Sequence, residues 1–144
     1  MRNGRAREDK GVAALEFALV LPMLLLLVFG TIEYGWMINR ETNLNHAARE
    51  GAREGIFNSS DVEIENRVRA ASAHLDQSLL TVTVECRKAD DTACPGASFP
   101  AEWESGGTVM VTVDYDYSFM TPVPELVGVS PTRTLTSTVE MRIE

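Results

Sequence analysis

Few residues in this chain have the types and spacing to do chemistry, and each has a plainer alternative. Glu16 is the only charged side chain between Val12 and Ile32, inside a run of aliphatic and small residues. At a bilayer centre a carboxylate costs on the order of 2.5–3.5 kcal/mol. Near the end of an apolar segment the cost falls, because the side chain reaches the interface. Glu16 is therefore either tolerated by its position or paired with a cation. Cys86 and Cys94 could form a disulfide, remain free thiols or give half of a zinc site; zinc would lack two partners, since neither His46 nor His74 lies close in sequence. Asp114 and Asp116 share one face of an alternating stretch and could offer oxygens to Ca²⁺ with Asp90, Asp91, Glu102 or Glu104. Calcium takes roughly six to eight oxygens, and no ligand-loop spacing is present, so solvated acidic positions are the simpler reading. No phosphate-binding glycine loop, paired-histidine metal helix or nucleophile elbow occurs in the sequence. The expectation is a non-enzyme with no catalytic residue, metal, cofactor or small-molecule substrate.

The element that must position Glu16 is a long apolar helix. Val12 to Ile32 spans about 30 Å at 1.5 Å per residue, the thickness of one bilayer core. Arg2, Arg5, Arg7 and Lys10 against Glu8 and Asp9 leave +2 on the first ten residues. The other 9 basic and 19 acidic side chains leave −10 on the rest. A basic flank before an apolar segment keeps the N-terminus in the cytoplasm, so the acidic remainder is expected outside. An acidic domain also repels nucleic acid. On the oxidising side of a membrane, two cysteines favour a disulfide, worth on the order of 2–3 kcal/mol for so short a loop. Tyr34 and Trp36 stand at the far end of the segment, where aromatic side chains favour the interface. Pro22 predicts a kink, and Gly30 and Gly35 suit close helix packing.

Three readings fit this segment. A cleaved signal peptide needs a shorter apolar core and a small-residue cleavage site, whereas Gly30 to Gly35 contains Glu33. An uncut anchor explains the length and the basic flank but not Glu16. A cut between Gly11 and Val12 explains more: Val12 becomes a free amine, Glu16 the fifth residue of the mature chain, and the two charges can neutralise each other where water is scarce. That pairing would set the register of apolar helices packed side by side.

A basic leader ending in Gly11, with Glu16-Phe17 in the apolar helix that follows, resembles the type IV prepilins, and the Glu-aromatic pair resembles the Flp (Tad) branch. The stretch GVAALEFALVLPMLLLLVFGTIEYGWMINRETNLNHAAREGAREG is similar to the TadE-like proteins along its length. The hallmarks match as Glu16-Phe17-Ala18-Leu19-Val20-Leu21-Pro22, Phe29-Gly30, Glu33-Tyr34-Gly35 and Ala47-Ala48-Arg49-Glu50-Gly51-Ala52-Arg53. Val12 departs from the bulky aromatic usual after the cut, and Phe17 stands in place of Tyr. The resemblance implies a minor pseudopilin, processed by a prepilin peptidase and acting in assembly of the Flp/Tad pilus and so in surface adhesion. It implies as partners the membrane, that peptidase, other Tad pilins and inner-membrane assembly platform proteins. The implied location is the bacterial cytoplasmic membrane, as a single-pass protein, with a place in the surface pilus itself left open. The alternative is an uncleaved, single-pass anchored extracytoplasmic binding domain.

Beyond Ile38, Leu44, Ala47, Ala48, Gly51, Ala52 and Gly55 recur at helical spacing as a stripe of small residues. The stripe is expected to pack on the protein's own domain rather than on another subunit. Ser60 and Glu63 have capping-box spacing and open a second helix expected to run to about Leu75, with Ile64, Val68, Ala71 and Leu75 on its apolar face. Thr81–Cys86, Thr108–Tyr117 and Thr132–Ile143 alternate as strands. Arg87 to Gly107 reads as a loop, and Trp103 as its anchor. Pro122, Pro124 and Pro131 exclude a strand from 121–131, although Leu126 and Val127 are apolar enough to enter a core. The expected architecture is α+β, a pilin-like lollipop with a second helix and a roughly three-stranded antiparallel sheet. Its parts are a cleaved basic leader (1–11), a transmembrane helix (12–38), a helical stalk (39–57) and an extracytoplasmic head (58–144).

Overall fold

The computed structural model describes residues 5–57, 59–94, 104–126 and 128–144, with side chains described from residue 11 onward. The element order is α1 (Arg5–Gly55), α2 (Asp61–Ala71), a 3-10 turn (Gln77–Leu79), β1 (Leu80–Arg87), β2 (Thr108–Ser118), the short α3 (Val123–Leu126) and β3 (Thr132–Arg142). The fold is α+β, as the periodicities predict, and one helix is long and apolar enough to cross a membrane. The chain divides into two compact units. One takes α1 as far as Trp36 together with Phe119–Pro131; the other holds Met37–Ser118 and Thr132–Glu144.

The larger unit is built on an antiparallel sheet in the order β1-β2-β3. Alternation sets its register. Val109, Val111, Val113, Tyr115 and Tyr117 of β2 are all buried, and Val113 stands between Val82 and Ser137 while Val111 stands between Val84 and Val139. The opposite face is polar. Thr112 hydrogen-bonds Thr138 at 3.0 Å, and Thr134 and Thr136 donate to Asp116 (2.8 Å) and Asp114 (2.5 Å). These pairs lie directly opposite one another in the β2–β3 register, where cross-strand side-chain bonds add sheet stability.

The small-residue stripe of α1 meets that core from the other side. Leu44, Ala47, Ala48 and Ala52 are fully buried. A methyl group placed on Gly51 would collide with Val68 of α2 and lie 3.3 Å from Val111 of β2. One on Gly55 would lie 2.8 Å from Val109 and 3.3 Å from Ile64. The glycines thus let α1, α2 and β2 approach to contact. Buried Ser137 donates to Asn45 at 2.9 Å, tying β3 to the same helix. The exposed Arg67–Glu50 pair at 2.6 Å adds a surface link, worth at most about 1 kcal/mol.

α2 opens as expected: the Glu63 amide donates to the Ser60 hydroxyl at 3.3 Å, and the Ser60 amide donates to the Glu63 carboxylate at 2.7 Å. Those bonds from Ser60 hold the Glu63 carboxyl below its ordinary range. The helix ends earlier than the sequence suggests, at Ala71 instead of about Leu75. Ser72, fully buried, turns its hydroxyl back onto the Val68 carbonyl at 2.8 Å and so closes the last turn. Leu75 still reaches the core, because its amide donates to the Ser72 carbonyl at 2.9 Å in the turn that follows.

The stripe yields a stability test. Gly51→Val is expected to cost about 1–3 kcal/mol by overpacking against Val68 and Val111. Arg49→Ala, on the exposed side of the same turn, is expected to fall within about 0.5 kcal/mol of the parent. Thermal unfolding of the two variants in detergent checks both.

Candidate functional site

The residues singled out in the sequence fall into two groups. Gly11, Val12, Glu16, Phe17 and Pro22 all lie on α1, which runs through them without a break. Val12 and Glu16 are one turn apart on the same helix face. Glu16 is exposed and makes no hydrogen bond or ion pair with any described residue. Phe17 is exposed as well, and a methyl on Gly11, Gly30 or Gly35 would find nothing within 4 Å. Leu15, Leu19, Val20 and Met23 to Phe29 are likewise exposed. A helix apolar all round, with its surface uncovered, calls for an apolar surrounding. Tyr34 and Trp36 at its far end are exposed too.

The second group sits on the sheet. Cys86 and Cys94 are paired, with Cα atoms 5.5 Å apart. The disulfide closes a tight return: the Cys94 amide donates to the Cys86 carbonyl at 3.2 Å, Lys88 to Thr92 at 2.9 Å, and Asp91 takes a left-handed backbone at φ 65°. Asp90 accepts from the Thr92 hydroxyl and amide, which hold its carboxyl below the usual range. Asp114 and Asp116 are engaged by threonines across the sheet, and Glu104 accepts from the Ala89 amide at 2.9 Å. These carboxylates are spread over separate hydrogen bonds, and no metal-holding cluster forms among the described residues. Glu102 and Trp103 lie outside the described residues.

The residue that sequence reasoning did not single out for a contact is Glu33. It follows the apolar run directly, yet it is only 5% exposed. Its carboxylate accepts from the Met120 amide at 3.1 Å and from the Thr121 amide at 3.0 Å. Both donors belong to the β2–β3 connection, Phe119–Pro131, which groups with this part of α1. Charge-assisted bonds of this kind are about twice as strong as neutral ones, and two of them offset the cost of burying the carboxylate. The connection lies along α1 beside Pro22, Leu25, Leu26 and Phe29, with an apolar groove of about 460 Å³ between them. These positions and Glu33 recur at i, i+3, i+4, i+7 and i+11, one helix face. Leu126, apolar enough to enter a core, stands 75% exposed on α3; Val127 lies outside the described residues.

One family model matches part of the chain, and its match runs across both compact units. Residues 11–53 match the family described as TadE-like protein. The matched stretch begins at Gly11 and takes in the exposed apolar helix, Glu33 and nearly all of the small-residue stripe. No curated protein and no solved structure matches the chain.

The Glu33 contact is directly testable. Glu33→Ala leaves two amides without their acceptor, at roughly 1–3 kcal/mol for each group left unpaired. Hydrogen exchange at Met120 and Thr121 is expected to accelerate about 10- to 100-fold, while the β2–β3 ladder keeps its protection. Glu33→Gln, which keeps one acceptor oxygen, is expected to fall between the two.

Proposed function

We propose that this chain is a minor pseudopilin of the Tad pilus system: made with a basic leader, cut between Gly11 and Val12 by a prepilin peptidase, and used in assembly of the Flp/Tad pilus and so in adhesion to surfaces. The single observation that carries the reading is Glu16, an exposed carboxylate without a partner among the described residues, one turn from Val12 inside the segment that matches the TadE-like family. Removal of the leader would put an ammonium at Val12 beside that carboxylate. The pair can close within one subunit or between neighbours, and in either case it fixes the axial register of helices that otherwise slide against one another as smooth apolar rods. The uncovered apolar surface of α1 supports helix-to-helix assembly within the bilayer, with Gly30 and Gly35 as points of close approach.

The leader's basic residues orient α1 with its N-terminus in the cytoplasm, and the disulfide-bonded acidic domain outside. Other Tad pilins and the inner-membrane platform are the partners in this account. The domain acts by recognition and packing and carries out no reaction of its own.

Glu16→Leu separates this reading from that of an uncut anchor. Membrane integration is expected to survive or improve, because an apolar residue replaces a charge, while pilus assembly is lost. Electron microscopy of surface pili beside membrane fractionation checks both. Normal piliation with Glu16→Leu overturns the register role.

A further inference from the structure

We infer that the β2–β3 connection, Phe119–Pro131, is a second membrane-contacting element: it folds along α1 into the leaflet on the domain's side and presents Met120, Leu126 and Val129 to lipid. The inference rests on the reading that α1 spans a bilayer. With Val12–Ile32 crossing the hydrocarbon core, Glu33 stands at the boundary, and Phe29 and Pro22 lie about 6 Å and 16 Å deeper along the helix. The connection is held at Glu33 and lies against those deeper residues, so it must enter the leaflet with them. A leaflet's hydrocarbon is about 15 Å thick, half of the core, so the connection has the whole of that leaflet alongside it.

Irregular backbone is tolerated at such depth only when its polar groups are satisfied within the protein. Six of the connection's ten amides donate within the protein, whereas the buried Thr121 hydroxyl has no partner among the described residues. Phe119 donates to the Pro131 carbonyl at 3.0 Å and closes its neck; Met120 and Thr121 donate to Glu33. Leu126 donates to Pro122, Gly128 to Glu125 and Val129 to Pro124, at 3.1, 3.1 and 2.8 Å. Pro122, Pro124 and Pro131 have no amide proton to satisfy. The side chains point to the same solvent: Met120 is 73% exposed, Leu126 75% and Val129 51%. Exposed Glu125 is the one charged residue of the connection and sets its limit, because that side has to reach the headgroups. Continuity with the uncovered apolar band of α1 makes lipid acyl chains the occupant of the adjoining groove. A helix of another subunit is the competing occupant.

The full chain, reconstituted in phosphatidylethanolamine–phosphatidylglycerol vesicles with its native disulfide intact, tests this. A single environment-sensitive NBD label is placed through Leu24→Cys, Leu126→Cys, Met120→Cys or Thr138→Cys, and quenching by nitroxide-bearing acyl chains is measured. The label at 126 is expected to be quenched at least half as strongly as that at 24, while the label at 138, on the polar sheet face, is quenched less than a tenth as strongly. The label at 120 repeats the measurement should the Leu126 variant lose its fold. Quenching at 126 and 120 no greater than at 138 overturns the inference, and so does a label shielded from aqueous iodide yet untouched by nitroxide lipids, which would place protein in the groove. An unquenched label at 24 overturns the bilayer reading of α1 itself, and is thereby distinct from failure of the loop alone.

Discussion

A carboxylate at the end of an apolar run has to be either solvated or paired, and Glu33 is paired. Its two bonds to the amides of Met120 and Thr121 join residues 87 and 88 positions apart. They fix where the β2–β3 connection lies on α1, and with it which part of the apolar helix remains open. Toward the N-terminus from Glu33, the described side chains of α1 are largely exposed and apolar; further on, the buried positions are Leu44 and the small residues that follow. One helix therefore carries two unlike surfaces, and the acidic residue marks the change.

The two surfaces answer to different physics. The stripe from Leu44 to Gly55 depends on short side chains: alanine and glycine bury little area each, but they bring the backbone of α1 within contact of Val68, Val109 and Val111, whose dense packing then supplies the cohesion. Beyond the β2–β3 connection along Pro22, Leu25, Leu26 and Phe29, the apolar half stays largely exposed among the described residues, and in lipid hydrophobicity gives it no drive toward another helix, because acyl chains are as apolar as leucine. In the proposed role, what remains to specify assembly there is charge and close fit. Glu16 and the glycines are the residues of that half that offer them, and the TadE-like match spans both surfaces.

Much of this was legible in the sequence because local periodicity and burial coincide. Alternation in Thr108–Tyr117, the Ser60–Glu63 cap and the spacing of the small residues each depend on neighbours a few positions away, and each appears in the structure as read. Two features were not legible, for physical reasons. Ser72 ends α2 through its own hydroxyl, a competition that residue type alone does not decide. Glu33 binds main-chain amides, which every residue except proline possesses, so nothing in the side-chain pattern of the connection announces the contact. The one available signal was its place: a carboxylate at the boundary of an apolar run, on the face shared by Pro22, Leu26 and Phe29. The residues of the candidate assembly surface were legible as a pattern of charge within apolarity, but what they meet lies beyond this chain.

The account turns on whether Val12 is a chain terminus. N-terminal sequencing and intact mass of the protein extracted from its own membrane, before and after reduction, address this most directly. The account predicts a mature chain beginning at Val12, with a gain of two hydrogens on reduction of the Cys86–Cys94 bond. A chain beginning at Met1, in cells whose prepilin peptidase is active, would contradict it and leave Glu16 without its proposed partner.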